Sequence, residues 1–109
     1  IPMGGFNPLP HPGMAKATQA YISMGETAEN LAKKYTIARE EQEKFALSSQ
    51  KKAAEARSQG RLADEIIPVG NISEDGCIRA ETTAEGLAGL KPAFDQFGTV
   101  TAGTSSPLT

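Results

Sequence analysis

Between Arg39 and Gln59 the chain runs without Pro or Gly through residues that are mainly good helix formers. Phe45, Ala46, Ser49, Ala53 and Ala56 recur at helical spacing and predict one narrow, small-residue packing face. Arg39, Glu40, Glu43, Lys44, Lys51, Lys52 and Arg57 fall outside it. Glu40 and Lys44 form an i,i+4 pair in the favourable orientation, worth roughly 0.2–0.5 kcal/mol. Acids in the first turn and bases in the last suit the helix dipole. Gly60 is placed to close the helix in a left-handed conformation. Ala38 stands where Ser or Thr would pair with Glu41 in a capping box, a lack that costs about 1 kcal/mol. A shorter segment, 25–35, has early acids, late lysines and an apolar stripe of Ala28, Leu31, Ala32 and Tyr35, and so predicts a second helix. Thr36-Ile37-Ala38 joins the two as an αα-hairpin or corner.

The flanks are less regular. Residues 1–13 hold four of the seven prolines and three glycines, which predicts an irregular extended loop, long for a compact domain. Met14 to Met24 is weakly periodic and allows a helical turn or two. After Gly60, Glu65-Ile66-Ile67-Pro68-Val69 predicts a short strand that Pro68 confines to an edge. Cys77-Ile78-Arg79 is a second extended piece. Thr82 and Glu85 fit a capping box opening a short helix through Leu90, which Pro92 ends. Gly98 to Gly103 is a β-prone run leaving into a Thr/Ser-rich loop. The fold class expected is α+β, with short edge strands and long irregular ends.

Composition narrows the classes. At 109 residues the chain is one domain at most, 39% hydrophobic, with no Trp and a net charge of -2. Basic residues alternate with acids along helix faces, so no nucleic-acid footprint is expected. No apolar run approaches the roughly 18 residues needed to span a bilayer, and no signal-peptide pattern is seen. The single Cys rules out an internal disulfide and fits a reducing intracellular compartment, the cytoplasm if the source is bacterial. Starting at Ile1 and ending on Ser105-Ser106-Pro107-Leu108-Thr109, the chain reads as a piece of a larger polypeptide.

The residues alone supply no complete catalytic constellation. His11, the only His, has no partner ligand or base at motif distance, and no Cys/His cluster suits a metal. Cys77 has Arg79 two residues on, the same face of a strand, but no positioned base, and reads as incidental. Ser105 and Ser106 lack the strained Gly-x-Ser-x-Gly elbow of a serine hydrolase.

Five segments in order resemble the thiolases, acyltransferases that use coenzyme A thioesters. They are Ser23 through Ala32; Ile37 through Ala46 with Ser49-Gln50-Lys51-Lys52-Ala53; Glu65 through Val69; Leu90-Lys91-Pro92-Ala93-Phe94; and Gly98 through Ser106. The resemblance covers most of the chain after Tyr21, and its specificity lies in the combination. It implies the family's loop domain, an excursion lying over the active site and forming much of the coenzyme A site. On that division 1–22 is an irregular segment of the loop domain or an oligomerisation arm, 23–97 the loop domain, and 98–109 a return segment toward the catalytic core.

Residue by residue, the resemblance implies that Met24 lines the catalytic pocket near the acyl group. It implies that Arg79 lies beside the nucleotide end of coenzyme A, where a guanidinium suits a phosphate or purine face. Ala93 and Phe94 would contact adenine or pantetheine. Ala102, Ser106 and Leu108 would follow the pantetheine arm, Ser106 by hydrogen bonding. From the residues alone, Arg79 is a surface cation, Phe94 a core ring and Ser106 a turn hydroxyl. Coenzyme A thioesters are the implied substrates, with no metal or redox cofactor. The implied partners are the rest of a thiolase core and further copies in a homodimer or homotetramer.

Departures bear on the subgroup. Ser23 stands where biosynthetic members often keep a His, which tilts towards another subgroup without fixing the direction of reaction; Gly86 replaces a Ser, and Thr104 and Pro107 differ from the common Asn and Gly. The family also needs a nucleophilic Cys in a Cys-x-Ser context, a Gly-His-Pro motif and a Cys-x-Gly-Gly-x-Gly motif. Cys77 precedes Ile78-Arg79 and His11 follows Pro10, so neither fits. Without the acylated residue the covalent step is lost, and the chain alone is expected to be inactive. The competing expectation, from another class, is a noncatalytic binding or subunit-interaction module using 1–21 and the Ala face.

Overall fold

The computed structural model describes residues 11–107, which fall into two compact units. The first joins the two ends of the described chain, 11–38 and 91–107; the second is Arg39–Leu90.

The first unit is built on helix α2. A six-residue helix α1, Pro12–Ala17, precedes it, with Pro at the N-terminus and His11 Nδ1 accepting the Gly13 N–H at 3.1 Å. Pro suits this position because its missing N–H would be unpaired anyway. Helix α2, Met24–Tyr35, begins one residue earlier than the apolar pattern predicts. The cause is a full capping box: Ser23 Oγ accepts the Glu26 N–H at 3.2 Å, and Glu26 Oε2 accepts the Ser23 N–H at 2.9 Å. The helix ends at Thr36, whose φ of 52° is left-handed, with the Ile37 N–H reaching back to the Ala32 carbonyl at 2.9 Å. That is the bond of a Schellman close, normally built on Gly.

The buried face of α2 is Gly25, Glu29 and Ala32. Against it lies the returning chain 91–107, folded on itself. The Ala93 N–H donates to the Val100 carbonyl at 3.0 Å, and Pro92 bridges Thr101. The bend between them is closed by the Gly98 N–H on the Asp95 carbonyl at 2.8 Å and by the Phe97 N–H on Asp95 Oδ1 at 3.0 Å. Val100 and Thr101 are buried, and Ala102–Thr104 make one 3-10 turn.

In the second unit, helix α3 is Arg39–Ser58. It ends as its Gly predicts: Gly60 has φ 71°, its N–H meets the Arg57 carbonyl, and the Arg61 N–H meets the Ala56 carbonyl, each at 3.0 Å. The packing stripe is rotated from the expected one. Ala46, Ala53 and Ala56 are half-buried, but Phe45 is 79% exposed and Ser49 is exposed. The half-buried side instead includes Arg39, Glu43, Ala46, Gln50 and Ala53, steps of three and four that turn a partly polar face inward.

Helix α4, Ala84–Ala88, packs on α3 and buries Leu87. Its cap is Thr83, accepting the Gly86 N–H at 3.0 Å, not the expected Thr82, whose hydroxyl instead donates to the Arg79 carbonyl at 2.7 Å. The helix stops at Ala88, short of the expected Leu90.

The expected edge strands are largely replaced by turns. Ala63–Glu65 form a 3-10 turn, and Val69 pairs only with Ile72 across a bend at Gly70, φ 59°. The Cys77 N–H turns back onto Asp75 Oδ1 at 2.8 Å. Among the described residues the β pairing consists of two isolated bridges. Pro68 lacks a donor and a lone two-stranded pairing is marginal in water, so local side-chain turns win. The described residues are thus mainly helical.

Candidate functional site

Helix α2 holds the returning chain at three points spaced four residues apart along one face. At Gly25 the ring of Phe94 lies so close that an added Cβ would overlap it. At Glu29 the carboxylate, in a residue only 3% exposed, accepts the Thr99 N–H at 2.9 Å and the Val100 N–H at 2.8 Å. The Thr99 hydroxyl lies 3.4 Å from the other oxygen. At Lys33 the ammonium meets Asp95 Oδ2 at 3.2 Å, a solvent-facing pair of small energetic weight. Positions i, i+4 and i+8 share a helix face, which is why one helix can grip 94–100 along its length.

Gly98 belongs to the same fit. A Cβ there would run into the Glu29 carboxylate, so only Gly lets the chain pass. Beyond Val100, the Thr101 N–H donates to Thr104 Oγ1 at 3.1 Å, and Ser105 Oγ donates to the Thr101 carbonyl at 2.8 Å. These bonds shape 101–105 from within.

Five of the sequence-predicted site residues sit on this one scaffold. Met24 opens α2 and is 62% exposed. Ala93, Ala102 and Ser106 are exposed, and Phe94 is 46% exposed, which corrects the reading of Phe94 as a core ring. The ring rests on Gly25 with the rest of its surface open. Leu108 lies outside the described residues.

Arg79 belongs to the second unit and is exposed. Its backbone is held on both sides, the N–H by Gln50 Oε1 of α3 at 2.8 Å and the carbonyl by the Thr82 hydroxyl. The Cys77 thiol two residues away is exposed, and its pKa is raised by partial desolvation and by the hydrogen bond and charge of Asp75, with Arg79 pulling less strongly the other way. The local field therefore favours the thiol over the thiolate, the opposite of an activated nucleophile.

Glu29 and Arg39 were not singled out in the sequence. Glu29 lies four residues from Gly25 and three from Ala32, so the small-residue spacing of α2 carried its signal: a carboxylate on the buried face must find donors. Arg39 was placed among outward charges, yet its guanidinium reaches the carbonyls of Leu87, Ala88 and Leu90. Nothing in local spacing connects Arg39 to residues so far along the chain.

Residues 8–109 match the family model for the thiolase N-terminal domain. The chain is 43% identical over 124 residues to a 3-ketoacyl-CoA thiolase of Bacillus subtilis, covering 97% of this chain and 32% of that protein. It is 47% identical over 104 residues to an acetyl-CoA acetyltransferase of Rhizobium meliloti, covering 88% and 26% respectively. Among solved structures, the human mitochondrial 3-ketoacyl-CoA thiolase in complex with CoA superposes with a TM-score of 0.70 at 42% identity, over 74% of this chain and 22% of that one. The chain thus spans about a third or less of the length of the relatives it matches. With nearly all of its residues inside the family's N-terminal domain and a fold shared at this level of identity, the chain belongs to the thiolase family.

Proposed function

We propose that the protein carrying this chain is a thiolase-type acyltransferase, and that this chain supplies much of its coenzyme A site. The reaction is thiolytic cleavage of a 3-ketoacyl-coenzyme A or, in reverse, condensation of acyl-coenzyme A. Arg79 holds the nucleotide end, as a guanidinium suits phosphate oxygens and purine faces. Ala93 and Phe94 offer apolar contact to adenine or pantetheine, while Ala102, Ser106 and Leu108 follow the pantetheine arm and Met24 lines the acyl pocket. The observation that carries this reading is the exposed Met24, Ala93, Phe94, Ala102 and Ser106 gathered on α2 and the chain it grips, in a member of a family with a coenzyme A-bound relative of the same fold.

The nucleophilic Cys and the catalytic His belong to parts of the enzyme beyond these residues, so the chain alone is inactive. The rest of the thiolase core is its partner, in a homodimer or homotetramer. Thiolysis measured on the full-length protein, with coenzyme A and a 3-ketoacyl thioester, tests the reading. Turnover by the full-length protein and none by residues 1–109 is expected. A full-length protein without turnover overturns the enzyme reading, and turnover by the 109-residue chain overturns its predicted inactivity.

A further inference from the structure

We propose that Glu29 is a positioning residue for coenzyme A: its carboxylate sets where the 91–106 arm lies and thereby where the arm's ligand contacts stand. The inference rests on the coenzyme A reading above and goes beyond it by assigning a role to a residue that touches no ligand. Three features carry it. The side chain is buried at 3% exposure and spends its acceptors on the main chain of Thr99 and Val100, with the Thr99 hydroxyl beside them. Gly98 is shaped to this carboxylate, since a methyl group there would collide with it. And these residues lie between the two pairs of exposed candidates, Ala93 and Phe94 before, Ala102 and Ser106 after. Moving the 98–100 backbone therefore moves both pairs, whereas the exposed Lys33–Asp95 pair is too weak to hold the arm alone.

The chemistry of the grip is demanding. Oε1 accepts both the Thr99 and Val100 N–H groups, and Oε2 takes a second contact from the Thr99 N–H at 3.1 Å; a Gln with its oxygen at Oε1 sets N–H groups against that Thr99 donor, and in the flipped orientation against both amides. Charge-assisted bonds of this kind are about twice as strong as neutral ones. Because the arm's contacts bind the carrier and not the reacting carbonyl, their displacement weakens substrate binding more than the chemical step.

Steady-state thiolysis by the full-length protein, with coenzyme A varied, tests this through Glu29→Gln, Glu29→Asp and Gly98→Ala. Glu29→Gln and Gly98→Ala are expected to raise KM for coenzyme A about tenfold with kcat changed less than about twofold. Glu29→Asp, which keeps the charge but withdraws it by one methylene, is expected to fall between. Gly98→Ala matters because it displaces the arm with the carboxylate intact. A merely structural role would lower the active fraction, so kcat would fall with KM unchanged, and that result overturns the proposal. Unchanged KM and kcat in all three variants overturns it as well. If Glu29→Gln does not fold, the KM of Glu29→Asp and Gly98→Ala decides. Normal saturation by coenzyme A in the wild type together with unaltered variants refutes the role of Glu29 alone; a wild type that neither binds nor uses coenzyme A refutes the underlying reading.

Discussion

Arg39 Nε donates to Glu43 Oε1 at 2.6 Å, and a second nitrogen of the same guanidinium, Nη2, reaches the carbonyls of Leu87, Ala88 and Leu90 at 3.3, 3.1 and 2.5 Å. One side chain at the start of α3 thus reaches carbonyls at the end of α4 and just past it, where a helix runs short of internal donors, although the Leu87 carbonyl also accepts the Leu90 N–H at 3.1 Å. A five-residue helix has little stability of its own, so this outside partner matters. Arg39→Lys, a single ammonium that cannot reach Glu43 and these carbonyls from two separate nitrogens, is expected to destabilise this unit by about 1–2 kcal/mol. Urea unfolding of the full-length protein checks this, with hydrogen exchange showing faster opening across 84–90. A variant as stable as wild type would show that water serves these carbonyls equally well.

Thr36 holds φ 52° at the close of α2, the only non-Gly residue with positive φ among the described residues. A β-branched side chain is costly in this region, by roughly 1–2 kcal/mol, and Gly gives back part of the gain through a freer unfolded chain. Thr36→Gly is therefore expected to stabilise the protein by about 1 kcal/mol, read as a higher urea midpoint. Thr36→Val should not recover that gain.

Two carboxyls link this fold to pH. Glu26 is held below the usual carboxylate range by the Ser23 N–H and then the Ser23 hydroxyl; Asp95 is held low by the Phe97 N–H and then by Lys33. Each therefore favours the folded state above its ordinary pKa, and that contribution is lost as pH falls through the lowered value. Hydrogen exchange, corrected for its intrinsic pH dependence, is expected to show the start of α2 and the 95–98 bend loosening in acid below about pH 4. Glu26→Gln and Asp95→Asn should each flatten that dependence at their own site. A bend that stays equally protected in acid would contradict the assignment.

Helices were the legible part of this chain because their signals are local. Gly60 announced its Schellman close, and the periodicity of α3 placed its ends within a residue or so. The Ser23-x-x-Glu26 box was present in the sequence too, although the apolar pattern alone starts the helix at Gly25. Strands were misplaced because pairing needs a partner: Asp75 captures the Cys77 N–H locally, and Pro68 removes a donor from the run it sits in. Which face of α3 packs was also misread, since Phe45 suggested an apolar stripe while the side nearest α4 is ordered by Arg39 and Glu43. The site residues came from family resemblance, and geometry then added Gly25, Glu29 and Gly98, whose contacts span about seventy positions; the only local trace is the small-residue spacing that puts Glu29 on the buried face of α2.

If coenzyme A is bound as proposed, the 93–106 arm and the stretch around Arg79 are each shielded when it binds. Hydrogen exchange of the full-length protein with and without saturating coenzyme A reads each stretch separately. Slowed exchange is expected in peptides spanning 93–106 and 77–82, with the first effect diminished in Glu29→Gln. Saturation by coenzyme A that slows exchange elsewhere in the protein and leaves both stretches unchanged would contradict that placement of coenzyme A.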